Sequence, residues 1–322
     1  MQKSLKRYFI PVLVTIGIIF LLFTQISLRD LYDLLKRIDL KWTLGGVLGY
    51  LLAIFFRAFR YKRLIHSRDV PIFDLFRISV FYHLSLMVLP SKLGEFTYPY
   101  FLNKLSGMAM TEGLASLIAS RIYDFFTILI IFFIAFIGFQ SVFPAHPLLM
   151  IPLIAFLTGL TFFAFFYMGD LLKLFSRGLA KIFEPTALSR RRSIQWVLGK
   201  IHEVAEDFDA IQAKRTYLSV TLASLSSWVC SYWMFYAFLR GFRIPTPVMK
   251  AVFGSTIAVI ANALPISGLG NWGILEAGWA AGFMLVGLSK VEAISTGFGV
   301  HIFLFITSAI MSFLCWMTLK KH

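Results

Sequence analysis

Between Gly113 and Gln140 the chain is apolar apart from a few hydroxyls, Arg121 and Asp124. Comparable runs occupy residues 148–168, 217–239 and 291–317, and shorter ones residues 8–23 and 42–59. A helix needs about 20 apolar residues to cross the ~30 Å hydrocarbon core of a bilayer. Inside that core the backbone must satisfy its own N–H and C=O groups, so runs of this kind fold as helices. Charged residues make up 15% of the chain, against about 25% in soluble domains. The expected fold is therefore an all-α polytopic membrane protein.

That expectation disposes of one motif. Gly268-Leu-Gly270-Asn-Trp-Gly273 spells G-x-G-x-x-G, which marks a dinucleotide site only after a strand and before a helix in a βαβ unit. Apolar runs this long leave no room for such a unit, and no cofactor is expected. The net charge of +15 reads as basic cytoplasmic loops rather than a nucleic-acid surface. Cys230 and Cys315 lie in apolar runs and the six histidines show no ligand spacing, so neither a disulfide framework nor a metal site is expected.

The basic residues orient the chain. Lys3, Lys6 and Arg7 precede the first run, read as an uncleaved helix, and Arg57, Arg60, Lys62, Arg63 and Arg68 close the second. Arg190, Arg191, Arg192, Lys200, Lys214 and Arg215 lie in the polar segment 169–216, and Lys320 and Lys321 end the chain. The positive-inside rule puts all of these, and both termini, on the cytoplasmic side of the cytoplasmic membrane. Residues 70–112 must then begin and end inside, and residues 240–290 begin and end outside. Each interval is broken in its middle, by "LPSKLGEF" (89–96) and by "LPISGLGNWGILE" (264–276). Pro90, Gly94, Pro265, Gly268, Gly270 and Gly273 are the helix-breaking positions. Such breaks free backbone groups that must lie in protein or beside water, and paired breaks point to a transport site.

The two breaks also carry matching charges. Glu95 is followed 26 positions later by Arg121, and Glu276 25 positions later by His301. The expected architecture is about six full transmembrane helices plus two re-entrant hairpins, arranged as an inverted repeat. Its parts are a first helix and external loop (1–41), a first repeat (42–140), a connecting helix (141–168), a cytoplasmic amphipathic segment (169–216) and a second repeat (217–322). Within the amphipathic segment Ile194, Val197, Leu198, Ile201, Val204, Phe208 and Ile211 recur at helical spacing, which predicts a helix on the membrane surface or on the bundle.

A charge at mid-membrane costs roughly 2.5–3.5 kcal/mol, so Glu95, Arg121, Asp124 and Glu276 are candidate binding or translocation residues. Arg121 and Asp124 share a helical face and are expected to pair. Arg57 and Arg60 share a face at a helix end, where they would snorkel to headgroups or clamp a phosphate at the inner mouth. Lys92 in the first break would attract an anion, while Ser91, Ser267 and Asn262 offer hydrogen bonds. His301 could relay a proton. No Ser-His-Asp set and no phosphate-binding loop is present, so an enzyme is not expected.

The stretches "FRAFRYKRL" (56–64), "LPSKLGEF" (89–96), "ASRIYD" (119–124) and "LPISGLGNWGILEAG" (264–278) together resemble the lysylphosphatidylglycerol-synthase transmembrane region, a flippase-like family. The resemblance covers nearly the whole chain and implies a lipid translocase, expected here as a stand-alone membrane domain without the synthase domain. It maps the family's residues onto Glu95, Arg121, Asp124 and Glu276. Membrane lipids are the implied partners, with a lipid-modifying enzyme as a possible second and no nucleic acid. A lipid or polyprenyl glycosyltransferase component and an ion-coupled solute transporter are the rival readings. Where the family often has Arg, this chain has Thr97-Tyr98, Leu275 and His301. Three lost positive charges point to a neutral, cationic or sugar-bearing headgroup.

Overall fold

The computed structural model describes residues 16–18, 20–22, 24, 27–90, 92–138, 147–183, 192–263 and 271–319. Most of the first apolar run lies outside these residues, as do Ser91, Arg190, Arg191, Pro265, Ser267, Gly268, Gly270, Lys320 and Lys321. Among the described residues the regular structure is entirely helical. In chain order we label the helices α1 (Leu28–Lys36), α2 (Leu40–Leu64), α3 (Ile72–Val88), α4 (Thr97–Ser106), α5 (Met110–Gly138), α6 (Pro147–Phe183), α7 (Arg192–Ala213), α8 (Tyr217–Gly241), α9 (Val248–Ala263), α10 (Ile274–Leu285) and α11 (Lys290–Leu319). A 3₁₀ turn, Leu93–Phe96, joins α3 to α4.

Local chemistry sets several boundaries. Ser27 and Asp30 form a capping box at the start of α1. Asp39 accepts from the N–H groups of Lys41 and Trp42 at the start of α2, satisfying donors that a helix terminus leaves open. α6 runs on through Gly169 and Asp170 to Phe183, so the polar segment that the sequence separates at residue 169 begins inside a helix. α7 is the predicted amphipathic helix. It buries Val204, Ala205, Phe208 and Ile211 against α5 and α6, and it leaves Trp196 and Val197 exposed.

Among the described residues four helical stretches are long and apolar enough to cross a membrane: Leu40–Leu64, Met110–Ala135, Tyr217–Gly241 and Lys290–Leu319. Their outer faces are apolar. Leu44, Leu48, Leu52 and Phe55 line the exposed side of α2, and Ile306, Ile310 and Phe313 that of α11. Exposed apolar stripes of this extent suit lipid rather than water. The protein is a multi-pass helical membrane protein.

α2 and α8 pack along their whole length and run antiparallel. Thr43 lies against Gly241, Gly46 against Phe238, Gly49 against Trp233, Arg60 against Ser224 and Arg63 against Thr216. Small residues at the crossing let the two backbones approach closely. The element order around this pair recurs. A long helix (α2 or α8) leads to a broken pair (α3–α4 or α9–α10) and then to a second long helix (α5 or α11). The packing recurs as well, in exchanged form: α3 packs on α11, and α9 packs on α5. α9 and α10 press so close that a Cβ at Gly282 would sit 2.1 Å from the carbonyl oxygen of Gly254. Two apolar cores result, one for each half of the sequence in the main.

Candidate functional site

A cavity of about 430 Å³ lies where the two cores meet. Its wall carries Arg57, Arg60, Lys92, Glu95, Arg121, Asp124, Asn262 and His301, so eight of the residues singled out from sequence converge on one space. Glu276, Pro90, Gly94 and Gly273 are not in the wall.

The first break builds one side. α3 ends at Val88, and the chain turns at Lys92, whose φ of 60° is left-handed. Gly94 then passes so near α3 that a Cβ there would meet the backbone of Leu86 at 2.8 Å, which only glycine tolerates. That turn delivers Glu95 to Arg121 on α5, at 2.5 Å and 2.7 Å from its two carboxylate oxygens. Tyr82 donates to Glu95 at 2.6 Å and accepts from Arg121 at 2.7 Å. The pair stays open, with 42% of the Arg121 side chain and 24% of the Glu95 side chain exposed.

Arg121 and Asp124 pair across one helical turn as expected, but loosely, at 3.9 Å. Asp124 more closely takes Arg60 from α2, at 2.6 Å and 3.1 Å, and the indole N–H of Trp228 at 2.7 Å. The reason is reach. α2 lies directly against α5 and α8, and two planar groups bind in register across that interface. Arg60 consequently does not snorkel to headgroups, since only 2% of its side chain is exposed.

Arg57 is also drawn inward. Its guanidinium binds the His83 ring nitrogen Nε2 at 2.7 Å, donates to Ser231 at 3.2 Å and sits 5.6 Å from the Trp228 ring centre. Among the described residues no carboxylate lies within ion-pair distance of Arg57 or of Lys92.

The second break builds the opposite side. Asn271 is left-handed at φ 60° and Gly273 has φ 88°. Glu276 accepts from the N–H of Gly273 at 2.7 Å, capping α10, and its other oxygen meets His301 Nδ1 at 2.7 Å. Trp272 stacks on the His301 ring with centres 3.9 Å apart. Both oxygens of Glu276 are thereby engaged and its side chain is fully buried. It shapes the break from behind the wall. The two breaks touch through Lys92, whose ammonium donates to the carbonyl of Asn262 at 2.5 Å and approaches the Asn271 side-chain oxygen at 3.5 Å.

The wall is not neutral. Four cations (Arg57, Arg60, Lys92, Arg121) face two carboxylates (Glu95, Asp124), a difference of 4 − 2 = +2. Sequence reasoning missed Tyr82, His83, Trp228, Ser231 and Asn271. A histidine within an apolar helix was the available signal for His83, because intramembrane ionisable groups are functional candidates by default.

Among the described residues no cluster of His, Cys, Asp and Glu could hold a metal ion. A family model described as "Lysylphosphatidylglycerol synthase TM region" matches residues 8–312. No curated protein and no solved structure matches the chain.

Proposed function

We propose that this chain, which belongs to the lysylphosphatidylglycerol synthase TM region family, is a lipid translocase that passes a polar headgroup through the cavity between its halves, from one leaflet of the cytoplasmic membrane to the other. The observation that carries this reading is Phe125. It lines the cavity, yet about half of it, 51%, is exposed, so an apolar ring stands at the margin of a charged wall. A headgroup can rest against the charged wall while the start of its acyl chains stays against that ring.

The architecture supports a rocking mechanism. Equivalent helices α2 and α8 run in opposite directions, and the exchanged contacts α3 with α11 and α9 with α5 are what an inverted repeat produces. Inverted repeats of this type alternate access around a site made by broken helices. At 1.5 Å per residue α9 spans about 24 Å and α10 about 18 Å, short of the ~30 Å core. That favours re-entrant hairpins over full spans. In this reading Arg57 and Lys92 hold the acidic part of the headgroup, Glu95 and Arg121 exchange partners with its polar part, and Asp124 and Glu276 hold the frame.

The test is leaflet exchange. Full-length protein reconstituted in liposomes with labelled lipids is expected to speed their movement between leaflets, and Glu95→Gln in well-folded protein is expected to slow it about tenfold, the scale of one charge-assisted hydrogen bond. Absence of exchange for every headgroup class, with and without a pH gradient, would remove the translocase reading.

A further inference from the structure

We infer that the cavity is built for a doubly charged phosphate, so that the preferred headgroup ends in a phosphate monoester rather than a diester. The lipid part of this inference rests on the translocase reading; the charge part rests on the wall itself.

The four cations of the wall divide into two kinds. Arg60 is met by Asp124 and Arg121 by Glu95, each within hydrogen-bond distance. Arg57 and Lys92 are held only by neutral groups. For Arg57 the holder is unambiguous. His83 Nδ1 lies 2.7 Å from the carbonyl of Ser79, which can only accept, so Nδ1 carries the proton. Nε2 is then an unprotonated acceptor for the Arg57 guanidinium, and the ring is neutral. Ser231 and the Trp228 ring fix the guanidinium on its other sides without cancelling its charge. Lys92 gives two of its three N–H groups to a backbone carbonyl and an amide oxygen.

Two positive charges therefore face one cavity with no carboxylate within ion-pair distance of either among the described residues. Isolated buried charge is costly and is met by counter-charge wherever a structure permits. A phosphodiester supplies one negative charge. A phosphate monoester supplies about 1.5–2 at neutral pH and keeps three oxygens free for donors. The oxygens can be shared between a planar guanidinium with N–H groups to spare and an ammonium with one N–H left.

The experiment measures binding apart from exchange. Full-length protein in neutral-lipid nanodiscs is titrated with phosphatidic acid, phosphatidylglycerol, glycerol 3-phosphate and inorganic phosphate, and exchange is followed in liposomes in parallel. Phosphatidic acid is expected to bind about tenfold tighter than phosphatidylglycerol, the worth of one added charge-assisted contact. That preference should shrink as pH falls through about 6, where a monoester gains its second proton. Arg57→Gln and Lys92→Gln should each lower phosphatidic acid binding by more than they lower that of phosphatidylglycerol, so that the preference between the two narrows. Equal binding of the two lipids by wild-type protein, or a preference that ignores pH, overturns the inference without needing any variant. Free phosphate competing as well as phosphatidic acid would keep the charge assignment and overturn the lipid headgroup as its source. Selective binding with no exchange of any lipid would uphold the charge assignment and sink the translocase reading alone.

Discussion

Each half of the molecule pairs a glutamate from a broken helix with a base from the long helix that follows, and the two pairs live in different surroundings. Glu95 and Arg121 stand open on the cavity wall and share Tyr82. Glu276 and His301 are sealed, 0% and 1% exposed, with one carboxylate oxygen capping α10 and an indole stacked on the ring. Similar spacing thus yields similar geometry, and burial decides what the geometry is for. A sealed pair holds a backbone turn in place, because neither partner can find water if the other leaves. An open pair adds little to the fold and is free to trade one partner for a ligand. The first half adds a more buried pair of its own, Arg60 with Asp124, beside the open one on the same wall.

The largest effect expected from this contrast is on folding. Glu276→Ala strands His301 and the Gly273 N–H, and should cost about 3–5 kcal/mol, the range for breaking a buried pair from one side. A thermal melt in detergent that barely moves would break the comparison. Asp124→Asn leaves Arg60 buried with its counter-charge gone and an amide oxygen still in reach. It should cost about 2–3 kcal/mol, read in the same melt, and only a small drop would show that the cavity is wet enough to hydrate Arg60. Glu95→Gln inverts the pattern, with a change in stability below about 1 kcal/mol and the loss of exchange described above. A double-mutant cycle sharpens this. The coupling of Glu276 with His301 should exceed that of Glu95 with Arg121 by about 1 kcal/mol or more. Equal couplings would mean that exposure does not separate the two pairs. The smallest effect is Trp272→Ala, which removes one stacked ring and should cost about 0.5–1.5 kcal/mol in stability with exchange retained.

Much of this was legible in the sequence because hydrocarbon makes every charge conspicuous. Glu95, Arg121, Asp124 and Glu276 stood out on apolar runs, and their spacing matched across the two breaks. The pairing of Asp124 with Arg60 was not legible. It joins residues 64 positions apart through the way α2 lies against α5, which no periodicity records. His83 and Tyr82 were obscured for a related reason. α3 is apolar nearly all round, so its sequence does not say which side faces the cavity, and only the turn at Lys92 and Gly94 fixes that rotation. The helix that crosses residue 169 shows a third limit. Composition changes there, but Gly169 packs against Asp209 of α7 and Lys173 pairs with the same aspartate, so tertiary contacts carry the helix onward.

Lys92 belongs to one break, and the groups it holds, Asn262 and Asn271, flank the other. A single ammonium therefore acts as an interlock. Neither break can move away without depriving the other of a partner. On the translocase reading, a headgroup that claims Lys92 would release both together, and a passage geared in this way would open with cargo aboard and stay shut without it.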